Sequence, residues 1–145
     1  MNTIIAIWNS GSKGKSSTIL NLANLLMSSY THSVIYCNKD SSKLTVDFRL
    51  ILEINKKIIA LESKGDPKTD LEKRLSEIAT KYHPNLIICS TRTRGETVQA
   101  VHKTASKYSF DKIWSSTYEI THSQSLANNL KSEHLLDLIV KLGLI

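Results

Sequence analysis

Gly14, Lys15 and Ser16 stand together in the stretch IWNSGSKGKSSTI, residues 7–19. Glycine lets a backbone approach an anion closely, a lysine beside it reaches the anion's charge, and a hydroxyl one residue on ligates Mg²⁺. The triplet fills the last three places of the phosphate-loop pattern G-x-x-x-x-G-K-[ST], and Asn9 stands where the first glycine belongs. Asn tolerates left-handed geometry better than most residues, and Gly11 is free to take a positive φ, so a turn through Ser10, Gly11, Ser12 and Gly14 is expected. Gly11, Ser12, Lys13, Gly14, Lys15, Ser16 and Ser17 are the candidate phosphate-binding residues.

The context is the one such a loop needs. TIIAIW (residues 3–8) reads as a buried strand, and from Lys15 to Tyr30 apolar residues recur at three- and four-residue spacing, one face of a helix. SVIYCN (33–38) reads as a second buried strand. Residues 44–62 place Leu44, Phe48, Ile51, Leu52, Ile54, Ile58, Ile59 and Leu61 among Lys and Glu, which predicts an amphipathic helix. The linker SKGDPKTD follows, then a helix begun by Thr69 and Glu72 at capping-box spacing and ended by Pro84. NLIICST (85–91) is a third buried strand, 97–108 a helix, KIWSST (112–117) a fourth strand, and 125–142 a final amphipathic helix. In that last helix Leu126, Leu130, Leu135, Leu138, Ile139 and Leu142 are expected to cover the sheet rather than a membrane. Apolar strands alternating with helices predict a doubly wound, mostly parallel sheet in a three-layer α/β/α sandwich, one domain over residues 1–145.

At this point the sequence resembles the ParA/MinD group of P-loop ATPases, whose deviant Walker A loop reads K-G-G-x-G-K-[ST]; here NSGSKGKSST occupies it. Ser10 stands at the family's first lysine and Ser12 at its second glycine. The resemblance implies ATP and Mg²⁺ as ligands, with Ser16 on the metal. In VIYCNKD it puts Asn38 and Asp40 on the family's D-x-D pair, so Asp40 is the candidate for holding the attacking water and the metal shell, and Lys15 the catalytic cation. Asp40 reads alternatively as a cap of the turn before SSKLTV. In NLIICSTRTRG, Ser90 replaces the Walker B aspartate, which predicts weaker metal binding and slow hydrolysis. The family setting is plasmid or chromosome partitioning by a nucleotide-dependent homodimer. A non-hydrolysing nucleotide-binding interaction module, with a protein partner the sequence does not name, is the second reading. A small-molecule kinase is disfavoured, since only the short 63–70 linker offers itself as a lid.

Arg92 and Arg94 follow the third strand directly, where open α/β sheets bind ligands, and read either as phosphate contacts or as solvated loop residues. A net charge of +6 admits nonspecific DNA as a partner through phosphate contacts. No run of about 18 apolar residues occurs, so no stable membrane insertion is expected and a cytoplasmic protein is. Cys37 and Cys89 each close a strand-like run and read as reduced, small hydrophobic side chains. The histidines lack ligand spacing.

Overall fold

The computed structural model describes residues 2–11 and 14–145. Its sheet has six strands in the order β2-β3-β4-β5-β1-β6. They are β1 (Thr3–Trp8), β2 (Ser33–Cys37), β3 (Arg49–Ile54), β4 (Lys57–Glu62), β5 (Leu86–Thr91) and β6 (Asp111–Ser116). The helices are α1 (Lys15–Ser29), α2 (Leu71–Tyr82), α3 (Glu96–Tyr108) and α4 (Gln124–Lys141). Strands β4, β5, β1 and β6 run parallel, while β3 is antiparallel to both of its neighbours. The fold is α/β with a mostly parallel sheet covered on two faces, as the alternation of elements predicts.

Burial divides along the period of two that a strand imposes. On one face Ile5, Ile7, Leu50, Leu52, Ile59, Leu61 and Ile88 pack against Ile19, Leu22 and Leu26 of α1 and Leu135 and Ile139 of α4. On the other, Ile4, Ala6, Ile51, Ala60, Ile87 and Cys89 meet Leu75 and Ile78 of α2 and Val101 and Ala105 of α3.

Four expectations are corrected. The helix predicted over 44–62 is a β-hairpin, because Asn55 and Lys56 both take positive φ (52° and 64°) and make a two-residue turn of the kind that matches strand twist. RLILEI and KIIALE are buried on both faces, so their apolar residues run nearly continuously and mimic a helical stripe. Strand β2, expected to be buried, is an exposed edge with Val34, Ile35 and Tyr36 at 41, 45 and 39% exposure. The capping box at Thr69 and Glu72 does not form: Asp70 precedes α2 in the left-handed region, and Thr69 Oγ1 donates to the Asp66 carbonyl. In α4 the buried face runs through Ala127, Asn128, Lys131, Ser132, Leu135 and Ile139, leaving Leu126, Leu130 and Leu142 exposed. That helix packs on α1, and its polar N-terminal half points at the glycine-lysine-serine turn.

Candidate functional site

The turn lies at the carboxyl end of β1, flanked by the carboxyl ends of β5 and β6, whose Thr91 and Ser116 stand in register with Trp8. Gly14 precedes α1 with φ 82°, a conformation that favours glycine, and a Cβ there would collide with Asn128 Oδ1 of α4. No side chain caps α1; its first repeating bond is Thr18 N–H to the Gly14 carbonyl at 2.9 Å. The amides of Lys15, Ser16 and Ser17 therefore precede any intrahelical partner, the arrangement in which a helix start attracts an anion. Ser12 and Lys13, expected among the phosphate ligands, lie outside the described residues.

Asn9, at the place of the pattern's first glycine, takes no positive φ. It is a buried hydrogen-bonding post. Its amide nitrogen donates to Thr117 Oγ1 and Glu119 Oε1, both at 2.8 Å, and its side-chain oxygen accepts from Ser10 N–H at 2.7 Å. Asn9 thus ties the start of the turn to the chain leaving β6. Gly11 also lacks the expected positive φ, and its glycine has a different reason: a Cβ there would stand 2.7 Å from Arg92 Nη1 and 2.9 Å from Arg92 Nη2.

Lys15 is 7% exposed, and its ammonium folds back onto the Asn9 carbonyl at 2.9 Å. Burial lowers its pKa from 10.5, the Arg92 guanidinium lowers it further, and Asp66 opposes them. Two cations therefore converge on the turn, with the Asp66 carboxylate as a counter-charge to both and the Glu119 carboxylate nearby on Asn9. Arg92 Nη2 lies 3.3 Å from Asp66 Oδ1, while Arg92 Nε is buried without a hydrogen-bond partner.

Asp66 belongs to the 63–70 segment, which borders the site and is more than a linker. Gly65 in it is pressed on the end of β5, where a Cβ would collide with the backbone and hydroxyl of Ser90. The Ser63 carbonyl accepts from Ser16 Oγ at 3.2 Å and from Ser90 Oγ at 2.7 Å. The structure therefore brings Ser16 and Ser90 to one oxygen. It adds Ser63, Gly65, Asp66 and Asn128, which sequence reasoning missed; Gly65 was visible, with Pro67, only as punctuation of the SKGDPKTD linker.

Asp40 is not brought to the turn. It follows β2, four strand positions from β1, roughly 19 Å across the sheet at the usual strand spacing. Its carboxylate is exposed, accepts from Ser42 N–H at 3.0 Å and Ser42 Oγ at 2.7 Å, and caps the short 3₁₀ turn Ser41–Lys43. Those bonds hold its pKa below the usual value. Asn38 likewise serves β2, accepting from Arg49 N–H at 2.8 Å. Arg94 is exposed.

Lysine, arginine, serine hydroxyls and helix amides form a donor set that fits phosphate. Toward Mg²⁺ the same place offers the neutral oxygens of Ser16, Ser63 and Ser90, with the carboxylates of Asp66, paired with Arg92, and Glu119, on Asn9, at its borders. Among the described residues no group of three or more His, Cys, Asp or Glu side chains stands ready to hold a metal ion. No helix among them is long and apolar enough to cross a membrane. Comparison with protein-family models, curated proteins and solved structures finds no match to the chain.

Proposed function

We propose that this chain binds the phosphates of a nucleotide at the Gly14-Lys15-Ser16 turn and works as a nucleotide-dependent switch with slow or absent turnover. One observation carries the reading: a buried lysine and an arginine converge on an uncapped helix start, a cluster of positive charge and free amides that a bound anion would stabilise. On this reading ATP, as the resemblance to the ParA/MinD group implies, places its outer phosphates over Lys15, Ser16 and Ser17. Arg92 leaves Asp66 to join them, supplying the charge that Ser10 lacks. Mg²⁺, when bound, neutralises phosphate charge, and Ser16 Oγ is the residue to hold it.

Slow turnover follows from the acids. The nearby carboxylates are engaged, Asp66 with Arg92 and Glu119 with Asn9, and Ser90 puts a hydroxyl where an aspartate is expected. Asp40 stands too far away to orient water unless a second copy brings its own. A non-hydrolysing module is therefore favoured within one copy, and a slow ATPase within a nucleotide-bound homodimer is the second reading, in which partitioning of DNA is the setting and the +6 charge its support. Single-turnover phosphate release measured beside ATP binding separates them. Saturable binding with no release, at any protein concentration and with DNA present, selects the module; release that rises with protein concentration selects the dimeric ATPase.

A further inference from the structure

Beyond the turn, a second cavity of about 250 Å³ opens on the opposite face of the sheet, between α3 and the edge strand β6. Trp8, Arg92, Thr93, Val98, His102 and Trp114 line it. Its origin is a register effect. Trp114 stands beside Ala6, and Ser116 beside Trp8, so on adjacent parallel strands each indole has a small neighbour. By strand rise and spacing the Cα atoms of Trp8 and Trp114 are about 8 Å apart on the diagonal, and both side chains line the cavity. Val98 and His102, one helical turn apart on α3, form the facing wall.

The walls are chemically uneven. The His102 and Trp114 rings stand 5.2 Å apart at 46°, and His102 Nδ1 meets Lys112 Nζ at 3.0 Å. The lining also includes Arg92, whose buried Nε has no hydrogen-bond partner, and Thr93. The space equals about eight waters, enough for one or two fused planar rings. Aromatic walls with a cation at one end suit a planar ring bearing an anion.

We propose that this cavity is a nucleobase site: an unpaired base stacks against Trp8 and Trp114, and its attached phosphate faces Arg92 at the rim. It is separate from the phosphate turn but shares Arg92 with it, so occupancy of one site changes the cation available to the other. The ligand chemistry is common to a free mononucleotide and to an unpaired nucleotide of a single strand, and Arg92 serves either.

The chain has two tryptophans, and both line the cavity, so indole fluorescence reports on it directly. The full chain, titrated with AMP, with a ten-nucleotide oligo-dT and with inorganic phosphate, is expected to show saturable quenching by the first two and none by the third. Tighter binding of the oligonucleotide, weakening with salt, identifies a strand as the source; equal affinity identifies the mononucleotide. Loss of about tenfold in affinity is expected for Trp114→Leu, the effect of removing one stacking face. Val98→Glu, at a half-buried position, gives the same loss by putting a carboxylate against the ligand, and covers the case in which the first variant fails to fold. Lys15→Ala should keep AMP quenching. Quenching abolished by Lys15→Ala assigns the signal to the turn and overturns the cavity site while leaving the phosphate-turn reading intact. Absence of quenching by both nucleotide probes, or indifference to Val98→Glu, also overturns it.

Discussion

Lys15 and Arg92 are two cations held close together at the cost of burial, and the pKa of Lys15 is lowered from 10.5 mainly by that burial. Lowering in the folded state means the folded chain releases this proton before the unfolded chain does. Between the lowered value and 10.5 the unfolded state binds more protons, so this group adds stability as pH rises through that window. Phosphate affinity moves the other way, since the neutral amine attracts no anion. ATP affinity measured from neutral pH to about pH 10 should therefore fall in the native chain and stay flatter in Lys15→Arg, whose guanidinium keeps its charge. Arg92 and Asp66 make a second pair of expectations. Arg92→Ala should weaken ATP binding by about tenfold or more, a charge-assisted hydrogen bond being lost. Asp66→Asn should strengthen it, because a carboxylate that competes for Arg92 and repels phosphate is gone. Equal affinities across the three proteins would remove Arg92 from the site.

At the scale of elements, the 63–70 segment and the end of β4 decide whether the site keeps its shape. Glu62 closes β4 with its carboxylate 2.7 Å from Arg49 Nε and 3.5 Å from Arg74 Nη1, which fastens α2 to the sheet one residue before Ser63. Burial pushes the Glu62 pKa up against the pull of both arginines. Glu62→Ala removes the closest carboxylate of both guanidinium groups, leaving Arg49 its contact with Glu77 and Arg74 its neutral acceptors on Thr69 and Lys64, and should cost about 1–3 kcal/mol in denaturant unfolding. None of this was legible as a site, because Glu62, Gly65 and Asp66 are assembled by a hairpin that the spacing of Leu, Ile and Lys disguised as a helix. The β1-turn-α1 unit was legible, since its chemistry is contiguous: strand, Gly14, Lys15, Ser16, helix. Long-range partners left no such trace. Nothing near Asn9 announces Thr117, and nothing near Gly14 announces Asn128, because each pairing is set by packing of β6 and α4 beside β1. Asp40 shows the converse hazard: a short-range pattern placed it at the site, and strand order carried it to the far edge.

The whole molecule makes two further expectations testable. Cys89 lies fully buried in the sheet with its thiol pushed up to about 12, chiefly by burial, whereas Cys37 is half-buried at the edge strand. A thiol reagent at neutral pH should label one cysteine rapidly in the native chain and both after unfolding, since the reactive species is the thiolate. The +6 charge sets the second. If the chain meets DNA, binding must weaken with salt at about −0.9 log units per log unit for each phosphate neutralised, and on the switch reading ATP strengthens it while ADP does not. The ATP dependence requires that the turn bind nucleotide at all. The most direct measurement is a calorimetric titration of the chain and its Lys15→Ala variant with ATP. Saturable binding by the native chain, lost or weakened at least tenfold in the folded variant, is the predicted result; equal heats and affinities in the two proteins, or no binding by either, would contradict the assignment of a phosphate site to this turn.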